Sequence, residues 1–406
     1  MADSKDAGLS TDVLIVGGGF VGAALACALA EARIPCVVVE SGDPQAGLAD
    51  TFDARSSAIA LTSQRLLQRI GVWEKLADEA APMLDIRVSE GRSRLFLHYD
   101  HRDVGEEPFG YMLENRVLRR ALLERLMELP AITLLAPARL GMLKRGALQV
   151  TAVAAGHCLQ AQLVVAADGR GSRVREDAGI RTTRWSYGQS AIVTTVEHER
   201  PHRFVANEHF LPAGPFAILP LLPETRSSIV WTEREDLAPV IMAMDDDAFT
   251  RELRRRFGDF LGAVRPVGAR FSHPLSLQYA ARGTALRLAL LGDALHAMHP
   301  IAGQGLNMGF RDVAALFDVL SEARAHRHDL GSAAVLSRYE RWRRFDNTLM
   351  LAMTDGLNRL FSNDIAPLRV VRDLGLAAVQ QLPPLKRLFM RHAMGTVGEL
   401  PQLMRA

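Results

Sequence analysis

The apolar positions along this chain change period several times, and each change predicts an element. Val13 to Val16 is an unbroken apolar run, followed by three glycines and a stretch of small residues to about Ala32. Cys36 to Val39 is a second apolar run and ends at Glu40. Short continuous runs read as strands buried on both faces, and the Ala/Leu-rich stretch between them reads as a helix. The uncharged segment Val13 to Ala30 is long enough to invite a membrane-span reading, but its glycines would break such a helix. Leu66, Leu67 and Ile70 share one face of a helix that ends at Gly71. Alternation at Ile86/Val88 and at Leu95/Leu97/Tyr99, with a glycine between, predicts a hairpin. Leu118, Leu122 and Leu126 form one stripe of a helix with Arg116 near its start.

Farther along, an apolar strand runs into Asp168-Gly169 and is followed by Arg170, Arg173 and Arg175. From Ser190 to Ser276 the pattern is one of short alternating segments, which predicts an antiparallel sheet. Its segment LPAGPFAILPL fits either a pocket-lining strand or a proline-bounded core strand. A last apolar strand ends at Gly292-Asp293, and Val313, Leu316 and Leu320 form the buried face of the next helix. From about Ser337 onward the pattern is helical. The whole predicts an α/β core with strand-rich segments inserted into it and a helical C-terminal region.

Composition narrows the function classes. The chain has 406 residues, enough for two or three domains or one large core with an inserted lobe. With 48 basic and 46 acidic residues the net charge is +2, so no nucleic-acid partner is expected. Cys27, Cys36 and Cys158 have no CxxC spacing, which argues against a disulfide framework and for a reducing compartment. The polar N-terminus lacks the apolar segment of a signal peptide.

Gly17, Gly19 and Gly22 make the pattern G-x-G-x-x-G between a strand and a helix, and Glu40 closes the next strand. In that context Gly17 permits the tight turn, Gly19 lets backbone approach a pyrophosphate, and Gly22 lets the helix pack on the strand. The helix N-terminus offers N–H groups to phosphates, and Glu40 can accept bonds from ribose hydroxyls. NAD and FAD both use this motif.

The segment GDALHAMHPIAGQGLNMG, residues 292–309, places Asp293, His296 and His299 three apart, a spacing that metal ligands can have. No further ligand set accompanies them, and glycines crowd in at 303, 305 and 309, so a metal site is not expected.

Taken in order, the glycine motif, the Asp168-Gly169 block and the Gly292-Asp293 block resemble the three fingerprints of class A FAD-dependent aromatic hydroxylases, the fold of p-hydroxybenzoate hydroxylase. The stretches DARSSAIAL and RYERWRRFDNTLMLAMTDGLNRLFSN are most similar to the ubiquinone-biosynthesis hydroxylases of that group. The resemblance implies a Rossmann-like FAD-binding domain (1–84, 112–182 and 284–345), an antiparallel-sheet substrate domain (85–111 and 183–283) and a C-terminal helical region (346–406). It implies that Gly17, Gly19, Gly22 and Glu40 hold the ADP half of FAD, and that Arg55 and Arg116 contact its phosphate and ribityl region. Asp293 would accept a bond from a ribityl hydroxyl, and Asp168 would order the site shared by flavin and reduced nicotinamide. The backbone around Gly303, Gly305, Leu306 and Asn307 would face the isoalloxazine edge.

The activity implied is hydroxylation of a polyprenylated phenol with NAD(P)H and O2 through a C4a-hydroperoxyflavin. A helix beginning near Leu306–Asn307 would stabilise negative charge on reduced flavin. The base that helps the phenol lose its proton stays open between His296, His299 and Tyr279, with His299 and Pro300 the catalytic candidates. A reductase or monooxygenase of another small aromatic or isoprenoid substrate, and a flavin-fold scaffold without turnover, are the alternatives. At the C-terminal end Arg369, Arg372, Lys386, Arg387, Arg391 and Arg405 outnumber Asp373 and Glu399. PPLKRLFMRHAMG therefore reads as a basic amphipathic helix that can lie on an anionic membrane or on a partner, such as other proteins of ubiquinone biosynthesis. The expected location is cytoplasmic, with peripheral contact at the inner face of the membrane open.

Overall fold

A computed structural model describes residues 8–46, 55–91, 96–298, 304–361 and 381–406. The first apolar run belongs to β1 (Leu9–Val16), which turns through the glycines into α1 (Phe20–Glu31) and returns as β2 (Cys36–Val39). Next come β3 (Ser56–Ala60), α2 (Leu61–Arg69), β4 (Ala81–Met83), β5 (Asp85–Glu90), β6 (Phe96–Asp100) and β7 (Gly110–Glu114). The stripe helix is α3 (Asn115–Glu128), followed by β8 (Ile132–Leu135), β9 (Leu140–Arg145), β10 (Val150–Ala154), β11 (His157–Ala166) and the short α4 (Arg173–Asp177). The strand-rich region holds β12 (Thr182–His198), β13 (Val205–Leu211), β14 (Gly214–Leu221) and β15 (Arg226–Arg234). It continues with α5 (Ala238–Met242), α6 (Asp246–Phe257) and β16 (Val264–Ala280). The chain then runs through β17 (Thr284–Ala285), β18 (Leu288–Leu290), β19 (His296–Ala297), α7 (Gln304–Ala325), α8 (Ala333–Phe361) and α9 (Pro383–Ala393).

One sheet has the order β17-β18-β11-β1-β2-β8, with β10 and β9 added as a meander beyond β11. The pairs β18·β11, β11·β1, β1·β2 and β2·β8 are parallel. Both faces are covered, which is why these strands read as unbroken apolar runs. Val13 and Ile15 point into a core with α1, α3 and α7, while Leu14 and Val16 point into the core on the opposite face. Each such side chain, fully buried, stabilises the fold by about 1.5–3 kcal/mol relative to exposure.

The second sheet has the order β19-β16-β12-β15-β14-β13-β5-β6. On one face Ile192, Phe216, Ile229 and Trp231 pack against Phe249, Leu253 and Phe257 of α6. The other face looks toward the first sheet. The two strands expected there pair: β5 and β6 are antiparallel, with Ile86 opposite Tyr99 and Val88 opposite Leu97, while Leu95 lies outside the described residues. The sheet is not purely antiparallel, however, because β5 joins it alongside β13 in parallel. Periodicity cannot reveal this, since a parallel pair needs a long crossover and here the chain between the two strands builds β7, α3 and β11. A small third sheet, β3-β7-β4, bridges the two larger ones.

The described part of the C-terminal region is helical as expected, except at its end. α8 and α9 are helical, but Gly395 and Gly398 have positive φ and the chain ends in turns and one 3-10 turn at Gln402–Met404. This tail packs Leu403 and Met404 into the core beside α2 and α7. No helix among the described residues is long and apolar enough to cross a membrane.

Candidate flavin and substrate site

The three motif glycines have three different steric reasons. Gly17 has φ +102°, and a Cβ there would lie 2.4 Å from the Ala167 carbonyl oxygen of the neighbouring β11 connection. A Cβ on Gly22 would lie 1.9 Å from the Gly17 carbonyl oxygen, so a methyl group would prise α1 off the turn. Gly19 has nothing within 4 Å of its would-be Cβ. That open space is where two cavities meet. Both are lined by Gly19 and Phe20.

The smaller cavity, about 310 Å³, runs from the glycine turn to Glu40. The Glu40 carboxylate accepts bonds from the Gly18 N–H and the Gly42 N–H, each at 2.6 Å. These bonds hold the acid at the rim with lone pairs left for ribose hydroxyls. Arg119 of α3 lines this cavity too, with its guanidinium 5.7 Å from the Phe20 ring centroid. Nothing in the local pattern distinguishes it from the other arginines of α3.

The larger cavity, about 530 Å³, lies between the two sheets. At one end it is lined by Asp293, Gly305, Leu306 and Asn307. Among the described residues α7 begins at Gln304, so its first turn aims N–H groups and a positive dipole end at this space. The Asn307 side chain does not point there idly. Its Oδ1 accepts from the Ala60 N–H and its Nδ2 donates to the Ala58 carbonyl, both at 2.8 Å, which ties β3 to α7. Asp293 lines the cavity and is exposed to it, with protein around the cavity on its other sides. Burial pushes its carboxyl above the usual range, and the charges of Arg170 and His296 pull it back.

The block after β11 is a clamp. Arg175 is fully buried and donates to the Ala294 carbonyl at 2.9 Å and the Arg170 carbonyl at 3.0 Å, joining the Asp168 segment to the Asp293 segment. Its burial pushes the guanidinium pKa down. Asp168 itself lines neither cavity. Its Oδ2 accepts from the Val174 N–H at 3.4 Å over the first turn of α4, and its buried Oδ1 has no partner among the described residues. Ala167, Gly169 and Arg170 line the cavity in its place.

The two expected arginines sit apart from the cavity walls. The Arg55 carbonyl accepts from the Asn115 N–H at 2.9 Å, and Arg116 lies 3.6 Å from the Glu114 carboxylate. His299, Pro300 and Gly303 lie outside the described residues. His296 is buried, and its Nε2 is 2.8 Å from Asp312 Oδ2. Asp312 also accepts from the Gly292 N–H at 3.0 Å and from Arg343 Nε at 2.7 Å. Burial alone would raise the Asp312 carboxyl, but the attraction of His296 and Arg343 outweighs it and holds the group low. His296 thus braces the loop rather than facing the cavity. Tyr279 pairs with His296 through the backbone and lines only a small cleft beside α8. Asp312 was visible in sequence only as an acid beside the apolar stripe of α7.

The residues present fit FAD: a glycine cradle at the junction, an acid for the adenosine ribose, and an acid and a helix N-terminus at the far end. The model of the FAD-binding domain family matches residues 10–350. The chain belongs to the FAD-binding domain family. It is 58% identical over 398 residues to a ubiquinone hydroxylase, UbiL, of Rhodospirillum rubrum, covering 97% of this chain and 92% of that one. It is 37% identical over 388 residues to the 3-demethoxyubiquinol 3-hydroxylase of Escherichia coli, covering 95% and 98%. In fold it is similar to p-nitrophenol 4-monooxygenase of Pseudomonas putida, with TM-score 0.79, 20% identity, and coverage of 97% and 100%. This member of the family is therefore an FAD-dependent monooxygenase, and FAD is its cofactor.

Proposed function

We propose that the chain hydroxylates the aromatic ring of a polyprenylated phenol in ubiquinone biosynthesis, using NAD(P)H and O2. The observation that carries this reading is the larger cavity. One end is the flavin cradle of Asp293, Gly305 and Leu306, and the opposite wall is apolar sheet, with Ile86, Ala217, Leu219 and Val230. A hydrocarbon-bearing ring fits such a wall, and binding there expels water from the reacting edge. Bound FAD, reduced by the nicotinamide, supplies the activated oxygen, because protein side chains cannot. The similarity to two ubiquinone-pathway hydroxylases supports the same substrate class.

On this reading Glu40 holds the ribose, the Gly17–Gly22 turn and α1 hold the pyrophosphate, and Asp293 accepts from the ribityl chain. Arg55 and Arg116 would approach the phosphates and ribityl chain, Asp168 would order the segment where nicotinamide meets flavin, and the α7 N-terminus would stabilise charge on reduced flavin. On the same reading the chain divides into a flavin domain (1–84, 112–182, 284–345), a substrate domain (85–111, 183–283) and a C-terminal region (346–406), although β7 crosses the boundary at 111 and α8 runs unbroken across the one at 345.

Peripheral membrane contact belongs to the same reading. α9 buries Met390 beside Met83, Phe109 and Met112, and Ala393 lines the larger cavity. Leu388 is 52% exposed next to exposed Arg387 and Arg391. A basic, partly apolar helix at the cavity rim would bring a membrane-borne substrate to the site. The deciding experiment loads the full chain with FAD and supplies NADH or NADPH, air and 2-geranylphenol. Nicotinamide oxidation that depends on the phenol and yields a ring-hydroxylated product is expected. Saturation of the prenyl double bonds instead would establish a reductase.

A further inference from the structure

Glu208 stands in the middle of β13, opposite Ala217 of β14 and Val88 of β5, and lines the larger cavity. Its surroundings on that wall are Ile86, Ala206, Pro215, Ala217, Leu219 and Val230. It makes no hydrogen bond or ion pair among the described residues. Tyr99, across β5 on the same face, is kept neutral by burial. Glu90 lies at the end of that face opposite Phe210 and outside the cavity lining, and Arg170 and Asp293 belong to the flavin end. His209 and Arg87 alternate to the other face of their strands, where His209 meets Ser89.

A carboxyl placed in an apolar wall costs free energy that a leucine would not. A hydrocarbon tail gains nothing from it. Most other polar side chains around the cavity have protein partners: Ser56 donates to Ser228, Ser57 donates to Asn115, Asn207 donates to the Val205 carbonyl, and Asn307 is tied to β3. The Thr232 hydroxyl, buried on the same wall, has no partner among the described residues, but an alcohol is no base at neutral pH. Glu208 is the carboxyl of the substrate wall left to meet a polar group of the ligand, and the polar group of a prenylated phenol is its ring hydroxyl.

We infer that Glu208 is the general base that takes the proton of the substrate's ring hydroxyl during hydroxylation. As the ring carbon bonds to the flavin-delivered oxygen atom, the phenolic O–H bond breaks. Its electron pair moves into the ring and its proton to a Glu208 oxygen. When the hydroxylated carbon loses its own hydrogen to water, Glu208 returns the proton to the ring oxygen and aromaticity is restored. The two electrons come from the nicotinamide and the second oxygen atom leaves as water, so Glu208 ends unchanged. Burial raises its carboxyl to about 7, close to the pH at which such a base works best.

This inference rests on the hydroxylase reading. The test compares FAD-loaded wild type with Glu208→Gln and Glu208→Asp, using 2-geranylphenol as substrate and 4-nitrophenol as a binding probe read by its own absorbance. Glu208→Gln is expected to retain FAD and accept hydride at the wild-type rate, yet to lose about 100-fold or more of hydroxylated product, with hydrogen peroxide in its place. The wild-type rise of kcat/KM with pH through about 7 should vanish in Glu208→Gln and persist in Glu208→Asp. Binding of 4-nitrophenol should weaken from pH 7 to 9 more in wild type than in Glu208→Gln, because two anions would then share the cavity. Wild-type product yield and an unchanged pH profile in Glu208→Gln would overturn the assignment alone. A wild type that binds FAD and the phenol but forms no hydroxylated product would overturn the hydroxylase reading with it.

Discussion

Replacing Asp312 by Asn tests how the loop before α7 is held. Asp312 is fully buried and accepts from three donors: His296 Nε2, the Gly292 N–H and Arg343 Nε. An amide of the same size keeps one oxygen acceptor and turns the other position into a donor facing donors. Arg343 is itself only 2% exposed, so it would lose its fully buried counter-charge. Removing one partner of a buried pair costs about 3–5 kcal/mol. Arg343 would retain Asp346 at 2.7 Å and Asn347 at 2.7 Å, which places the expected loss near the lower end, about 3 kcal/mol. That is a large share of a stability of roughly 5–15 kcal/mol. Denaturant unfolding followed by tryptophan fluorescence would measure it. Asp312→Asn paired with Arg343→Met should be less destabilised than the two single changes predict together, since the stranded charge is gone. The variant should also retain FAD more weakly, because Gly292 adjoins Asp293. The pH sign is definite. The Asp312 carboxyl is held below its ordinary value, so its contribution is present above about pH 3.8 and is lost as pH falls through the lower folded value. A loss below about 1 kcal/mol, with FAD retention unchanged, would refute this account of the loop.

The remaining predictions concern the cofactor and the substrate wall. Gly22→Ala should abolish FAD uptake, measured by absorbance of the purified protein, because its Cβ would meet the Gly17 carbonyl at 1.9 Å. Glu40→Ala should weaken FAD by about 1–3 kcal/mol, measured by titrating the apoprotein, and wild-type affinity would count against the ribose role. Asp293→Ala should lower FAD occupancy while leaving the circular-dichroism spectrum unchanged, and full occupancy would remove Asp293 from the ribityl site. Glu208→Gln should be more stable than wild type at pH 8 by at most about 3 kcal/mol, because the folded wild type holds its proton up to about pH 7. That advantage should fade as pH falls toward 4.5, and denaturant midpoints at both pH values would check it.

Much of the flavin end was legible in the chain itself. The order of strand, Gly17-x-Gly19-x-x-Gly22, helix, strand and Glu40 is a run of short-range constraints, and the steric reasons for Gly17 and Gly22 stand in the folded protein. Strand runs and helix stripes were legible for the same reason, since period is a local property. Other parts were not. β5 pairs with β13 in parallel across more than a hundred residues of intervening chain, and no local pattern encodes that choice of neighbour. Nor does local pattern show that the Asp168 carboxylate accepts from the Val174 N–H over α4 while Ala167, Gly169 and Arg170 line the cavity.

The sequence by itself determined a dinucleotide-binding glycine turn and the succession of strands and helices, because those follow from backbone freedom and from residue period, while flavin was implied by the resemblance of three motifs in order. Only the tertiary structure decided which side chains meet. In the segment VANEHFL, Glu208 stands between Asn207 and His209, and nothing in the local pattern marks it. The second sheet turns that face toward the flavin cradle, and the apolar strands packed around it leave the carboxyl poorly solvated. Chemistry of that kind depends on what lies opposite a residue, which is a property of the fold and not of its neighbours along the chain.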